Sequence, residues 1–260
     1  MIFYLLSIAL YLSAFSVQFL RLKNRRVDNK RLVLALTLAG VLMHIGSLNQ
    51  VMISPTGVDF GFFKVSSMIA LFFTLFLAVS AITKPVDNLL LALLPVSIFA
   101  LSTAQFLPET FTPKIYSNGM LVHIVISILA YSIITICATH AILILILDKR
   151  LKSHHPSGMT WGLPPLQTME KLLWEMLVLG MIGLTLAIVS GVLYIDDLFA
   201  QHLIHKTTLT LISWIVFATL LIGHIKQGWR GRIAARWTLV GAAILLIAFM
   251  GSKFVLELVL

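Results

Sequence analysis

The chain has 260 residues, of which 59% are hydrophobic and only 11% are charged. So few polar groups cannot cover the surface of a water-soluble globule, and the composition therefore excludes a soluble protein and predicts one that lies in a lipid bilayer. The net charge of +9 comes from basic residues clustered between apolar runs. That pattern indicates membrane topology and excludes a nucleic-acid-binding face. The single cysteine, Cys137, excludes a disulfide framework or a thiolate metal site within the chain.

Eight apolar runs approach the roughly 20 residues that are needed to cross about 30 Å of hydrocarbon. In chain order they are Ile2–Leu20, Leu32–Leu48, Phe62–Ile82, Asn88–Thr103, Met120–Leu147, Leu172–Tyr194, Thr207–Ile222 and Trp237–Val259. No basic stretch precedes the first run, so we interpret it as a retained helix and not as a signal peptide. The connections are too short to enclose a soluble core. The sequence predicts an all-α polytopic membrane helix bundle with eight transmembrane helices, forming one membrane domain over residues 1–260.

The basic residues predict how the bundle is oriented. The connections after the first, third, fifth and seventh runs together carry 15 lysines and arginines, whereas the other side of the bundle carries only four. Basic residues near helix ends are retained on the cytoplasmic side of a membrane. The count therefore predicts that both termini lie outside, and an even number of helices agrees with it. The four outer cations are Lys64, Lys114, Lys206 and Lys253.

Histidines supply most of the ionisable groups near the spans, where functional sites of membrane proteins are sought first. On the predicted topology, His44, His123 and His205 lie at one depth near the outer face, and His202 joins them in a loop. Neutral imidazole can ligate haem iron, and two such rings from different helices can hold a porphyrin. The propionates would then pair with cations, for which the candidates are Lys206 and Lys114. The alternative for each ring is a structural histidine bonded to a neighbouring carbonyl.

The remaining ionisable groups have simpler interpretations. His154 and His155 lie in a basic inner loop and are expected to be solvated, and His224 is expected to reach the headgroups. His140 lies 17 residues after the first histidine of its helix, which is roughly 25 Å and too far to share a ligand. Glu175 lies at the inner interface beside a lysine. Because no helix centre carries a charge, an ion-coupled carrier is disfavoured.

One inner segment predicts a change of direction before the sixth run. Paired prolines end the preceding structure, and Gln167 or Thr168 can cap a helix that continues directly into the run. The apolar stripe of this helix would hold the bundle at headgroup level, as an interfacial elbow does.

Three stretches of the second half carry a resemblance to a known family. The first is Leu163-Pro-Pro-Leu166 with Met169-Glu-Lys-Leu172, Gly180, Leu184-Thr185 and Gly191, the second is Leu121–Ser132 around His123, and the third is His205–Trp214 followed by Gly228–Arg232. In the same order and on the same predicted sides, they resemble the CcsA-type cytochrome c assembly proteins, and in particular the small YpjD-like branch. The resemblance is strongest over residues 120–260.

The resemblance implies a haem-handling protein of the bacterial inner membrane. It implies haem b as the cofactor, His123 as an axial ligand on the outer side, and membrane lipid, other cytochrome c assembly subunits or an apocytochrome as partners. Nucleic acid is not expected as a partner, because the basic residues lie in short clusters between apolar runs. With no catalytic motif visible in the chain, we expect haem delivery or a chaperone role, and not an enzyme.

The chain also departs from the family pattern. The family's tryptophan-rich outer loop corresponds here to Leu198–Thr207, which keeps Lys206 but holds no tryptophan. The family's second outer histidine would fall at or beyond Leu260, and its inner histidine would fall near Ile222, two residues before His224. A haem site would therefore need another second ligand, for which His205 is the first candidate and His44 the next.

Three functions of different kinds remain open from the sequence. The first is haem binding and presentation for attachment to c-type cytochromes. The second is a membrane assembly or interaction scaffold that keeps the fold without haem. The third is a small-solute or metal-ion carrier that uses the layer of histidines.

Overall fold

The computed structural model describes residues 1–23, 29–107, 113–152, 165–195 and 204–251. The helices in these ranges are α1 (Ile2–Lys23), α2 (Lys30–Met52), α3 (Phe62–Thr83), α4 (Leu90–Phe106), α5 (Asn118–Lys152), α6 (Leu166–Tyr194), α7 (Ile204–Gln227) and α8 (Gly231–Leu246). A 3-10 turn at Asp87–Leu89 leads into α4, and a π turn at Ile247–Gly251 follows α8. Within the described part, eight helices are long and apolar enough to cross a membrane. The predicted all-α polytopic bundle is thereby confirmed.

Several helices extend beyond the apolar runs that predicted them. Helix α5 has 35 residues, or about 52 Å at 1.5 Å per residue, and so exceeds the hydrocarbon thickness. Helix α6 begins at Leu166, directly after Pro165, so the predicted elbow and the sixth run form one helix of 29 residues. The predicted side-chain cap at Gln167 or Thr168 is wrong, because no side chain caps this helix. The backbone N–H groups of Thr168 and Met169 donate instead to the carbonyl of Pro165.

The helices divide into two compact units, unit 1 (Met1–Tyr116) and unit 2 (Ser117–Leu260). In unit 1, α2 packs on α1 and α3, and α4 packs on α3 and α1, which makes a closed ring of four helices. In unit 2, α5 packs on α6 and α8, and α7 packs on α8 and α6. Each unit is therefore a four-helix bundle with its own buried centre. The single domain expected over residues 1–260 stays a prediction.

A small hairpin covers the predicted outer end of unit 1. Strands β1 (Ile53–Ser54) and β2 (Gly57–Val58) pair antiparallel, and the backbone of Val58 also pairs with that of Lys114. Gly57 has a φ of +135°, and a Cβ there would lie 2.4 Å from the Lys114 carbonyl oxygen. Only glycine accommodates both this conformation and this approach.

The predicted inner end of unit 2 is built from aromatic rings. The His224 ring stacks on Trp174, with ring centroids 3.6 Å apart. Because a carbonyl oxygen only accepts, Nδ1 of His224 donates its proton to the Trp229 carbonyl over 2.9 Å. The Trp229 ring packs against Gly223, where a Cβ would lie 2.4 Å from it. His224 is thus held by two partners within unit 2 and does not extend freely toward the headgroups. His154 and His155 lie outside the described residues.

The orientation of both termini toward the outside stays a prediction, and it can be measured directly. Alkaline phosphatase folds into an active enzyme only on the outer side of a bacterial inner membrane. We expect high phosphatase activity from a fusion after Gln105 and little from a fusion after Lys152, because fifteen of the nineteen basic residues mark the latter side as cytoplasmic. Fluorescent-protein fusions at the same two positions should show the opposite pattern. High phosphatase activity after Lys152 would contradict the prediction.

Candidate functional site

His123 lies one turn into α5, partly buried, and its ring faces α6. Its Nδ1 lies 3.0 Å from the hydroxyl oxygen of Ser190. The Ser190 hydroxyl donates its only proton to the Ala187 carbonyl, also over 3.0 Å. Nδ1 of His123 must therefore be the donor in the pair, which places the ring proton on Nδ1 and leaves the lone pair on Nε2. This tautomer is the one that an Nε2 metal ligand requires.

Small residues of α6 allow α5 to approach closely along the whole contact. A Cβ on Gly180, Gly183 or Gly191 would lie 3.2 Å from an atom of α5. These atoms belong to Ile134, Ala130 and His123, respectively. Small side chains spaced along one face are typical of closely packed membrane helices. Gly191 in particular provides the space in which the His123 ring lies.

The predicted cation is also near this ring. Lys206 lies in the first turn of α7, and its ammonium group is close enough to His123 to act on it electrostatically. The Lys206 ammonium also lies 5.5 Å from the centroid of the Phe249 ring. Phe249 in turn contacts Tyr131, with ring centroids 5.0 Å apart. We call His123, Tyr131, Ser190, Lys206 and Phe249 the His123 cluster.

His205, the first candidate for a second ligand, lies next to Lys206 at the start of α7. Its side chain is exposed. His202, the other loop histidine, lies outside the described residues.

His44 has a different environment, in the centre of unit 1. Its side chain is 0% exposed. Its Nδ1 lies 3.2 Å from the hydroxyl of Tyr11, and its Nε2 lies 2.8 Å from the hydroxyl of Ser67. Both ring nitrogens therefore have hydrogen-bond partners, and a metal could bind His44 only after one of these bonds broke.

The other ionisable groups belong neither to the His123 cluster nor to the hydrogen bonds around His44. His140 is 2% exposed, and its Nδ1 has no hydrogen-bond partner in the described part of the chain. The backbone of Lys114, the second candidate cation, pairs with Val58 in unit 1. Across the described ranges, no three residues of the histidine, cysteine, aspartate and glutamate types group as a metal site would require.

Apart from Lys206, sequence reasoning did not find the side chains that accompany His123 in the His123 cluster. Ser190, Tyr131 and Phe249 come from three different segments, and a hydroxyl or a phenyl ring in an apolar run is not by itself a functional signal. The one available signal was the spacing of small residues in α6, where Gly183, Ala187 and Gly191 recur every fourth residue. That spacing indicates the face on which a neighbouring helix packs closely.

Comparisons with known proteins matched one family model and several relatives. The family model described as Cytochrome C assembly protein matches residues 1–260, which includes the first half of the chain. The chain is 29% identical to the Inner membrane protein YpjD of Escherichia coli strain K12, over 78% of each chain. It is 26% identical to the Cytochrome c biogenesis protein CcsA of Guillardia theta, over 62% of this chain and 61% of the relative. No solved structure matches. The chain therefore belongs to the cytochrome c assembly protein family.

Proposed function

We propose that this multi-pass protein of the bacterial inner membrane binds haem b at the His123 cluster and presents it on the outer side during cytochrome c assembly. Membership of the family supports a role in cytochrome c biogenesis. The single observation that carries the haem proposal is the hydrogen-bond chain from His123 through Ser190 to the Ala187 carbonyl. It holds the ring and leaves Nε2 with its lone pair.

The residues of the cluster fit haem in three respects. Histidine is a common axial ligand of haem iron. A hydrogen bond from the ring nitrogen that does not bind iron fixes the direction of the nitrogen that does. Lys206 supplies a positive charge near that ring for a propionate. When bound, haem supplies the iron and the porphyrin that an acceptor cytochrome needs. The residues of this chain then bind and orient it.

We propose that His205, and not His44, would provide the second ligand of the haem iron. His205 is exposed beside Lys206, whereas both nitrogens of His44 are used in hydrogen bonds within unit 1. An exposed imidazole binds iron without giving up a buried hydrogen bond, the loss of which would cost about 1 kcal/mol or more. His44 stays the alternative candidate for this ligand.

The partners that fit this function are an apocytochrome on the outer side, other subunits of the assembly system, and membrane lipid around the bundle. The chain is a delivery or chaperone protein on this proposal and not an enzyme. A haem-free scaffold is the second candidate, and the hydroxyl partners of His44 favour it, because they give that histidine a purely structural role.

Absorbance of the freshly purified protein tests the proposal. We expect a Soret band and a positive pyridine haemochrome assay that gives the spectrum of haem b. Protein that carries no haem, and that takes up none on titration with hemin, would favour the scaffold. A thermal shift with a divalent metal ion but not with hemin would instead favour the carrier.

A further inference from the structure

The Tyr131 hydroxyl is buried without a hydrogen-bond partner in the part of the chain that the structure describes. Thr210 on α7 lies nearby, and its hydroxyl donates to the Lys206 carbonyl one turn earlier in the same helix, but it does not come into hydrogen-bond geometry with the Tyr131 hydroxyl. A buried hydroxyl that makes no hydrogen bond costs about 1–3 kcal/mol. A phenylalanine at this position would fill the same space without this cost. The hydroxyl is therefore available for a hydrogen bond to a partner from outside the chain.

Two neighbours of Tyr131 indicate the chemistry of that partner. The Phe249 ring lies against the Tyr131 ring, with centroids 5.0 Å apart. The Lys206 ammonium lies over the Phe249 ring at 5.5 Å from its centroid. The phenol ring of Tyr131 and a cation therefore both lie against one flat aromatic ring. A ligand with an anionic oxygen beside a planar apolar body meets all three groups.

Helix geometry brings this donor toward His123. Tyr131 is eight residues after His123 on α5, which is about 12 Å along the axis. Helical side chains lean toward the N-terminus of their helix, so the phenol extends back in the direction of His123. The lysine belongs to the first turn of α7, and its long flexible side chain can turn from the Phe249 ring toward a bound anion.

We propose that the Tyr131 hydroxyl donates a hydrogen bond to a carboxylate of the porphyrin bound at the His123 cluster, with Lys206 as the cation for the same group and Phe249 as the flat apolar wall. This inference rests on the proposed haem function.

Esterified haem separates this role from general packing. In haem dimethyl ester both propionates are uncharged, so a hydrogen bond to a carboxylate is lost or weakened whichever residue makes it. We expect Tyr131→Phe to weaken hemin binding about tenfold, which is typical of a hydrogen bond to a charged group, and to leave the affinity for the dimethyl ester unchanged. Tyr194→Phe is the matched control, because Tyr194 is an exposed tyrosine of the same unit. The affinity of the Tyr194→Phe variant for hemin and for the dimethyl ester should equal that of the wild type.

The apoprotein gives a second measurement that needs no haem. Removing a buried hydroxyl without a partner should leave the melting temperature of the Tyr131→Phe apoprotein unchanged or raise it. A lower melting temperature, or an equal loss of affinity for hemin and its ester, would overturn the inference. Unchanged hemin affinity would overturn it as well. Failure of the haem function itself looks different, because the wild type would then bind neither form.

Discussion

Replacing His123 with alanine is expected to remove most of the Soret absorbance of the purified protein. The ring is the one candidate ligand whose Nδ1 proton is fixed by a serine of the neighbouring helix, so Nε2 is presented as a ligand. Pyridine haemochrome per mole of protein measures the loss. His140→Ala is a suitable control, because that buried histidine lies roughly 25 Å farther along α5. Equal haem content in His123→Ala and the wild type would contradict the proposed ligand.

Loss of the hydrogen bond between His123 and Ser190 should weaken hemin binding less than loss of His123 itself. Ser190→Ala removes the acceptor that holds His123 but keeps the ligand itself, and loss of such a supporting group typically costs 10- to 100-fold in affinity. We therefore expect weakened hemin binding with a normal maximum Soret absorbance at saturating hemin. Ser213→Ala provides a matched control, since Ser213 is another buried serine of unit 2 that bonds a backbone carbonyl, that of Gly241.

The two candidates for the second ligand can be separated by spin state. His205→Ala should retain haem but convert the iron from six-coordinate low spin to high spin, which electron paramagnetic resonance detects. His44→Ala should leave the spin state unchanged and lower the thermal stability, because it leaves the hydroxyls of Tyr11 and Ser67 without their partner. A change of spin state in His44→Ala alone would transfer the assignment to His44.

The largest effect on stability is expected from Asp87→Ala. The Asp87 carboxylate, whose side chain is 8% exposed, pairs with the Arg21 guanidinium and accepts a hydrogen bond from the Gln18 amide over 3.3 Å. Gln18 is 0% exposed and also donates to the side chain of Asn88 over 3.0 Å. Removing one member of a largely buried ion pair takes the opposite charge away from the member that stays, and this costs roughly 3–5 kcal/mol.

Thermal unfolding in detergent measures this loss. At roughly 2–4 °C per kcal/mol for a chain of this size, the apparent melting temperature should fall by about 6 °C or more. Asp148→Ala is the matched control, because Asp148 pairs with Arg232 and Lys152, whose side chains are 42% and 62% exposed. Water and salt screen exposed pairs, so only a small change is expected there. Similar shifts in both variants would contradict a special role for the Arg21–Asp87 pair.

The number and order of the helices could be predicted from the sequence, whereas their exact ends could not. An apolar run of sufficient length predicts a span, and all eight runs correspond to helices of the structure. The ends differ because the hydrogen-bonded ladder of a helix continues into water past the last apolar residue. Helix α5 continues to Lys152, beyond the Leu147 at which its apolar run ends, for this reason.

The candidate site was predictable only in part. The resemblance and the predicted depth indicated His123 and Lys206, and the structure places their side chains near one another. The same depth argument grouped His44 with them, although Tyr11 and Ser67 engage both of its nitrogens inside unit 1. Depth specifies a position along the membrane normal. It does not specify the direction in which a helix presents its side chains.

The sequence by itself determined that this is a membrane protein with eight spans and a histidine near one end of α5. Hydropathy adds up along about twenty neighbouring residues, so it can be read from any one segment without the others. Only the tertiary structure decided which hydroxyl holds His123 and which ring flanks Tyr131. These contacts depend on the rotation of each helix about its axis. Small residues such as Gly191 influence this rotation, because they allow a neighbouring helix to pack closely on one face.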